Sequence, residues 1–238
     1  IYIAFILCYL AGLPFLHWIP ARPVDRALEV DLRVDGEGGE SRVVHRHVPV
    51  WVPWLVLAAI FFTYINIGAY WTYIELATID AGIDNDYVGR LLVWTSFFSL
   101  VGCAVATVIS NRFGLARPLL LALFAMIGVV GMLAFGINDV NILISLFSFN
   151  LLWIFVDVYQ MSTVANVDHS GAFASLMPGA QGLGQIVGPN IAATQLGAGL
   201  GYSSVFVMCS TAALTGLLIY GAMYLWLRRS IPALAEAT

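Results

Sequence analysis

The chain has 238 residues, of which 61% are hydrophobic and only 10% are charged, and its formal net charge is −4 at pH 7. Soluble domains are about 45–50% apolar and about 25% charged, so this composition excludes a water-soluble globular domain. It predicts an all-α integral membrane protein. The chain contains ten arginines and no lysine, which excludes a P-loop nucleotide site, and its acidic balance predicts no nucleic-acid partner.

Seven apolar runs are long enough to cross about 30 Å of hydrocarbon as helices of about 20 residues. They are residues 1–18, 51–74, 88–110, 118–136, 140–163, 171–196 and 203–227. The first run begins at Ile1 and has neither the basic region nor the cleavage pattern of a signal peptide. We therefore expect it to be a membrane helix of a chain that is truncated at its N-terminus. Residues 19–50 have a soluble composition and predict a flexible linker.

The histidines and cysteines predict no metal site and no cofactor. His45 and His47 have no carboxylate or thiolate partner at ligand spacing, and the three cysteines lie singly in different predicted spans. No membrane-enzyme pattern such as HExxH or GxSxG occurs. The sequence therefore favours a protein that is not an enzyme.

The arginines predict the orientation in the membrane, because cytoplasmic loops retain positive charge. If residues 19–50 are cytoplasmic, alternate crossings leave nine of the ten arginines on that side and only Arg90 near an outer end. Those nine are Arg22, Arg26, Arg33, Arg42, Arg46, Arg112, Arg117, Arg228 and Arg229. We therefore predict a cytoplasmic linker and a cytoplasmic C-terminal tail, residues 228–238.

Polar side chains concentrate on the second, fifth and sixth predicted spans, and such groups usually face a bundle interior or a wet cavity. At 3.6 residues per turn, Asn150, Trp153, Asp157 and Gln160 lie on one face of a helix. We expect a substrate to be bound by Tyr64, Asn66, Tyr70, Asn150, Trp153, Gln181 and Gln185. The alternative is that these groups form interhelical hydrogen bonds, which average about 0.6 kcal/mol each in membranes.

Asp157 is a carboxylate in the middle of a predicted span, where a charge costs about 2.5–3.5 kcal/mol. Protonation removes that charge, so a carboxylate at such a position can alternate between two states. We predict that Asp157 couples proton movement to transport, with Glu75 as the second candidate. The alternative is a helix-packing carboxylate bonded to neighbouring amides.

The segment "NRFGLAR" resembles a loop motif of the major facilitator superfamily of secondary transporters. Members carry Gly, three residues, Asp, Arg, any residue, Gly and then basic residues, between the second and third helices of each six-helix half. Arg112, Gly114 and Arg117 match this pattern, whereas Thr107 stands in place of the Gly and Asn111 in place of the Asp. The resemblance implies a gating loop formed by Asn111, Arg112, Gly114 and Arg117.

The segment "GQIVGPNIA" resembles the glycine–proline motif that antiporters of the same superfamily carry in the fifth helix of a bundle. The resemblance implies roles in helix kinking and packing for Gly184, Gly188 and Pro189. Two further stretches, "YWTYIELATIDAG" and "LLWIFVDVYQ", resemble bacterial efflux-type members.

The resemblance also implies a domain layout for the whole chain. Residues 1–18 would be the last helix of an N-terminal bundle, 19–50 the central cytoplasmic linker, 51–227 the C-terminal six-helix bundle and 228–238 the tail. The N-terminal bundle, absent from this chain, would supply the opposite wall of the substrate site.

The function implied is secondary transport of a small molecule by alternating access, in the form of proton-coupled efflux across a bacterial inner membrane. The partners would be the substrate, a proton or other coupling ion, the lipid bilayer and the N-terminal bundle. Two alternatives stay open: an uptake symporter, and a non-transporting sensor or scaffold of the same fold.

Overall fold

A computed structural model describes residues 49–109, 113–168 and 171–230, and these residues form six α-helices. They are α1 (Trp51–Asp80), α2 (Asn85–Ile109), α3 (Ala116–Gly131), α4 (Asp139–Val167), α5 (Ala172–Gly197) and α6 (Tyr202–Ser230), and a 3-10 turn (Met132–Phe135) extends α3. The predicted span 1–18, the linker up to residue 48 and the tail from residue 231 lie outside the described residues.

The prediction of an all-helical membrane bundle is confirmed for the part of the chain that the structure describes. Five of its helices, namely α1, α2, α3 with its 3-10 turn, α4 and α6, are long and apolar enough to cross a membrane. Helix α5 has 26 residues and no charged side chain, but its glycines, glutamines and prolines make it less apolar than the other five. Apolarity alone therefore does not identify α5 as a membrane span.

Helix α1 continues to Asp80, beyond the end of its apolar run at residue 74. The backbone N–H of Ala81 still donates to the carbonyl of Ala77 at 3.1 Å, and Gly82 then turns the chain with a φ of +75°. Backbone hydrogen bonds continue the helix whether or not its side chains are apolar, so the sequence predicted the apolar span and underestimated the length of the helix.

Helix α1 lies at the centre of the bundle and packs against α4, α5 and α6. In its most apolar stretch 67% of the residues are buried, compared with 17% in α2. Residues 203–227 carry only scattered serine, threonine and tyrosine as polar side chains, which predicts that α6 faces lipid, and Leu218 is exposed on its outer side. Its opposite face, with Phe206, Cys209 and Gly216, is buried against the bundle, so the expectation describes only one side of α6.

Helices α1 and α5 are in backbone contact along a seam of glycines. A Cβ atom on Gly184 would lie 2.6 Å from the carbonyl oxygen of Phe61, and one on Gly68 would lie 2.7 Å from Cα of Gln185. A Cβ atom on Gly188 would collide with the carbonyl oxygen of Ile65. Small residues allow membrane helices to approach this closely, and here they fix the position of α5 on α1.

Candidate functional site

The carboxylate of Asp157 joins three helices. The hydroxyl of Tyr64 in α1 donates to Asp157 Oδ1 at 2.7 Å, and Nε2 of Gln181 in α5 donates to the same oxygen at 2.9 Å. Gln181 Nε2 also lies 2.9 Å from the Tyr64 hydroxyl oxygen, to which it donates a second hydrogen bond. The three polar helices predicted from sequence therefore meet at one closed triangle of hydrogen bonds, centred on a half-buried carboxylate.

The glycine seam explains why Gln181 reaches this triangle. Gly184 lies three residues after Gln181 on the same face of α5, and a Cβ atom there would lie 2.7 Å from Tyr64 Cβ. Because no side chain separates the two helices at this level, the Gln181 amide extends across Tyr64 to α4. Tyr73, farther along α1, donates to the carbonyl oxygen of Pro189 at 3.3 Å, and α5 continues as a helix through this proline.

No cation balances the Asp157 carboxylate among the described residues. The four arginines in that part of the chain, Arg90, Arg117, Arg228 and Arg229, are all exposed at helix ends. The two groups that donate to Asp157 are neutral, so they orient the carboxylate without cancelling its charge.

Two indole rings lie beside the triangle. Trp153 is one helical turn before Asp157, and its ring centroid lies 5.9 Å from that of Trp71 in α1. The Trp153 indole approaches the Tyr64 hydroxyl, but neither its N–H nor that of Trp71 has a hydrogen-bond partner among the described residues. Tryptophans are enriched at membrane interfaces, so the sequence alone favours an interface-belt role for Trp71. Trp71 lies seven residues after Tyr64 and therefore on the same face of α1, and this spacing predicts its place near the site.

Three of the predicted substrate-binding residues are buried in the packing of the bundle. Tyr70 is fully buried, its hydroxyl lies 2.9 Å from that of Ser145, and its ring stacks on Phe149 at 3.8 Å. Asn150 is 5% exposed and donates to the carbonyl oxygen of Leu146 at 3.2 Å. Asn66 is fully buried, and neither atom of its amide has a partner in the described part of the chain. This placement does not support direct contact with a substrate, because packed neighbours cover each side chain.

Gln160, on the predicted stripe of α4, takes the structural role that the sequence left open. It is fully buried, and its Nε2 donates to the hydroxyl of Thr63 in α1 at 3.1 Å. Interhelical hydrogen bonding was the alternative to a cavity-lining role, and it is the arrangement found here.

The remaining predicted residues lie away from the triangle or at its edge. Glu75 is exposed and eleven residues from Tyr64, a separation of about 16 Å along a helix, so it does not join Asp157. Gln185 is exposed and lies against Gly68. Asn111 and Arg112 lie outside the described residues. Arg117 is exposed near the start of α3.

Gly114 of the predicted gating loop has a φ of +73°, in the left-handed region that side chains with a Cβ rarely adopt. Gly114 therefore allows the chain to turn tightly before α3.

Within the described residues, no group of three or more histidine, cysteine, aspartate or glutamate side chains is arranged to hold a metal ion. No family model matches the chain, and no curated protein matches it at a significant level.

Proposed function

We propose that this protein is a secondary transporter of a small molecule and that the movement of a proton at Asp157 drives the cycle. The observation that carries the proposal is the half-buried carboxylate at the meeting point of α1, α4 and α5, held by two neutral donors and by no described cation. A charge in this position is costly in a membrane. An asparagine at position 157 could accept the same two hydrogen bonds without that cost, so a structural role alone does not require a carboxylate.

Protonation of Asp157 would change the contact between α4 and α5. The ionised carboxylate accepts hydrogen bonds from Tyr64 and Gln181, and bonds to a charged acceptor are about twice as strong as bonds between neutral groups. A proton on the carboxyl group removes the charge and weakens both bonds. The protonated and ionised forms would then favour different separations of the two helices, which is the differential interaction that a conformational cycle requires.

The proposal extends to the architecture and to the direction of transport. The six helices would form one bundle of a major-facilitator-type transporter, with a second bundle opposite the open side of Asp157. The site would open to each side of a bacterial inner membrane in turn, with the C-terminus in the cytoplasm and with protons entering as substrate leaves. The loop motif, the glycine–proline motif and the convergence of the three polar helices support this assignment.

Transport in reconstituted vesicles tests the proposal. The full-length protein is placed in liposomes containing a pH-sensitive dye, and a panel of neutral, cationic and anionic solutes is added under an imposed pH gradient. We expect at least one solute to dissipate the gradient faster than in protein-free vesicles. Saturable solute binding without any solute or proton flux would instead favour a sensor or scaffold.

A further inference from the structure

The acceptor groups left free at the triangle indicate the kind of ligand that it fits. Both donors to Asp157 reach Oδ1, and Oδ2 accepts no hydrogen bond from the described residues. Gln181 likewise uses only its Nε2, and its Oε1 accepts none from them. Two acceptor oxygens, one of them charged, are therefore open to a ligand that donates hydrogen bonds.

The charge at this position favours a cation. The titratable groups that interact with Asp157 from α1 and α6 are the hydroxyls of Tyr64 and Tyr220, which are neutral at physiological pH. Because the described arginines are exposed at helix ends, the carboxylate determines the local field. An anionic ligand would be repelled, and a neutral ligand would leave the carboxylate without a counter-charge in a partly desolvated site.

The two indoles add a second feature that suits a cation. Trp153 lies one helical turn before Asp157 and approaches the Tyr64 hydroxyl. Trp71 in turn lies against Trp153 with its ring plane inclined at 60°, so an angled pair of indoles extends from the helix of the carboxylate to α1. Aromatic faces attract ammonium groups, and this attraction grows as water is excluded. The same rings would pack against an apolar body attached to the ammonium group.

We propose that Asp157, Gln181, Trp71 and Trp153 form the binding site for a protonated organic amine with an aromatic or aliphatic body. The ammonium group donates to Asp157 Oδ2 and Gln181 Oε1, and the body packs on the indoles. The proposal deepens the proposed function and depends on it for the ligand's role as a transported substrate. Proton and amine compete for one carboxylate, because the ammonium group pairs with its ionised form and a bound proton removes the charge that attracts the ammonium group.

Equilibrium binding to the solubilised full-length protein tests the site without requiring transport. The probes are radiolabelled phenethylamine, its neutral analogue 2-phenylethanol and the quaternary analogue phenethyltrimethylammonium. We expect phenethylamine to bind about tenfold or more tightly than 2-phenylethanol, and more tightly than the quaternary ion, which has no N–H to donate. Equal binding of the alcohol, or tighter binding of the quaternary ion, would overturn the proposal.

Variants identify the groups responsible. Asp157→Asn should weaken phenethylamine binding about tenfold or more, and the binding of 2-phenylethanol should be unaffected. Trp153→Leu should weaken amine binding severalfold, and Trp153→Phe should restore most of it. The matched control is Asp80→Asn, which removes an exposed carboxylate at the end of α1. Unchanged amine affinity in Asp157→Asn, with folding confirmed by thermal unfolding, would contradict the site.

The outcomes separate the site from the transport function. Amine binding that depends on Asp157, without flux in vesicles, would support the site and contradict transport. Proton-driven flux of neutral solutes, with no amine binding, would support transport and overturn the amine site.

Discussion

The hydroxyl of Tyr64 donates a 2.7 Å hydrogen bond to Oδ1 of Asp157, which lies 93 residues later in the chain and in a different helix. Together with the bond from Gln181, it holds a carboxylate between three helices of a membrane bundle without a described cation. This contact links the central helix α1 to the residue that we propose as the proton site.

Removal of the Tyr64 hydroxyl should destabilise the bundle modestly. Tyr64→Phe keeps the ring and leaves Asp157 with one donor instead of two, so we expect the free energy of unfolding to fall by about 1 kcal/mol. Reversible unfolding in detergent measures the change. Tyr224→Phe in α6 is the control, because the Tyr224 hydroxyl makes no hydrogen bond with the described residues. An equal loss in both variants would show that the Tyr64–Asp157 bond contributes nothing specific.

The glycine seam predicts a contrast between two substitutions in α5. Gly188→Ala places a methyl group against the carbonyl oxygen of Ile65 and should destabilise the protein by about 1–3 kcal/mol. Gly179→Ala, in the same helix, meets nothing within 4 Å and should be neutral or slightly stabilising, because alanine is the better helix former. Thermal unfolding of both variants checks the contrast, and similar melting temperatures would argue against close contact of α1 and α5.

Tyr70 should affect stability rather than substrate affinity. Tyr70→Phe retains the stack on Phe149 but leaves the buried Ser145 hydroxyl without this partner, at a cost of about 1 kcal/mol. We expect the KM for transport to stay at the wild-type value, since the side chain is fully buried. A raised KM with unchanged stability would show that Tyr70 meets the substrate in another state of the cycle.

The predicted orientation can be tested by labelling single cysteines in a cysteine-free background. From outside intact cells, an impermeant maleimide should label positions Asn85 and Asn138 and leave Arg117 and Ser230 unlabelled. The predicted orientation has successive helices crossing in alternate directions, which puts the first two positions at one set of helix ends and the last two at the opposite set. Labelling of Arg117 with protection of Asn85 would reverse the orientation.

The six helices could be predicted from sequence because each overlaps one of the predicted runs, although α1 extends beyond its run. The arrangement of the site could not be predicted in this way. Asn150 and Asp157 share a face of α4, yet the structure covers Asn150 and leaves Asp157 half-buried. Helical periodicity defines a face, but which part of that face a neighbouring helix covers depends on crossing points. Here the crossing of α5 on α1 depends on Gly184 and Gly188. The glycine–proline motif implied a packing role for both, but the backbone against which they pack is known only from the structure.

The partner of Asp157 could not be identified from sequence for a related reason. The sequence offered neighbouring amides as the alternative partners of Asp157 without identifying them, and the structure supplies one amide, Gln181, and one hydroxyl, Tyr64, from separate helices. Gln181 was predicted as a substrate ligand, and in the structure its amide donates a hydrogen bond to the carboxylate. Helical periodicity predicts which residues of one helix share a face. The contact between Gln181 and Asp157 joins two different helices, so periodicity does not predict it.

The effect of Asp157→Asn on proton-driven transport tests the central claim most directly. Asparagine keeps an oxygen that accepts hydrogen bonds from Tyr64 and Gln181, but it cannot take up a proton at this position. In vesicles with an imposed pH gradient, we predict that the variant does not accumulate substrate against its concentration gradient. Exchange of substrate for substrate, measured at saturating concentration, should continue. Accumulation by Asp157→Asn at the wild-type rate and extent under the same pH gradient would contradict the account.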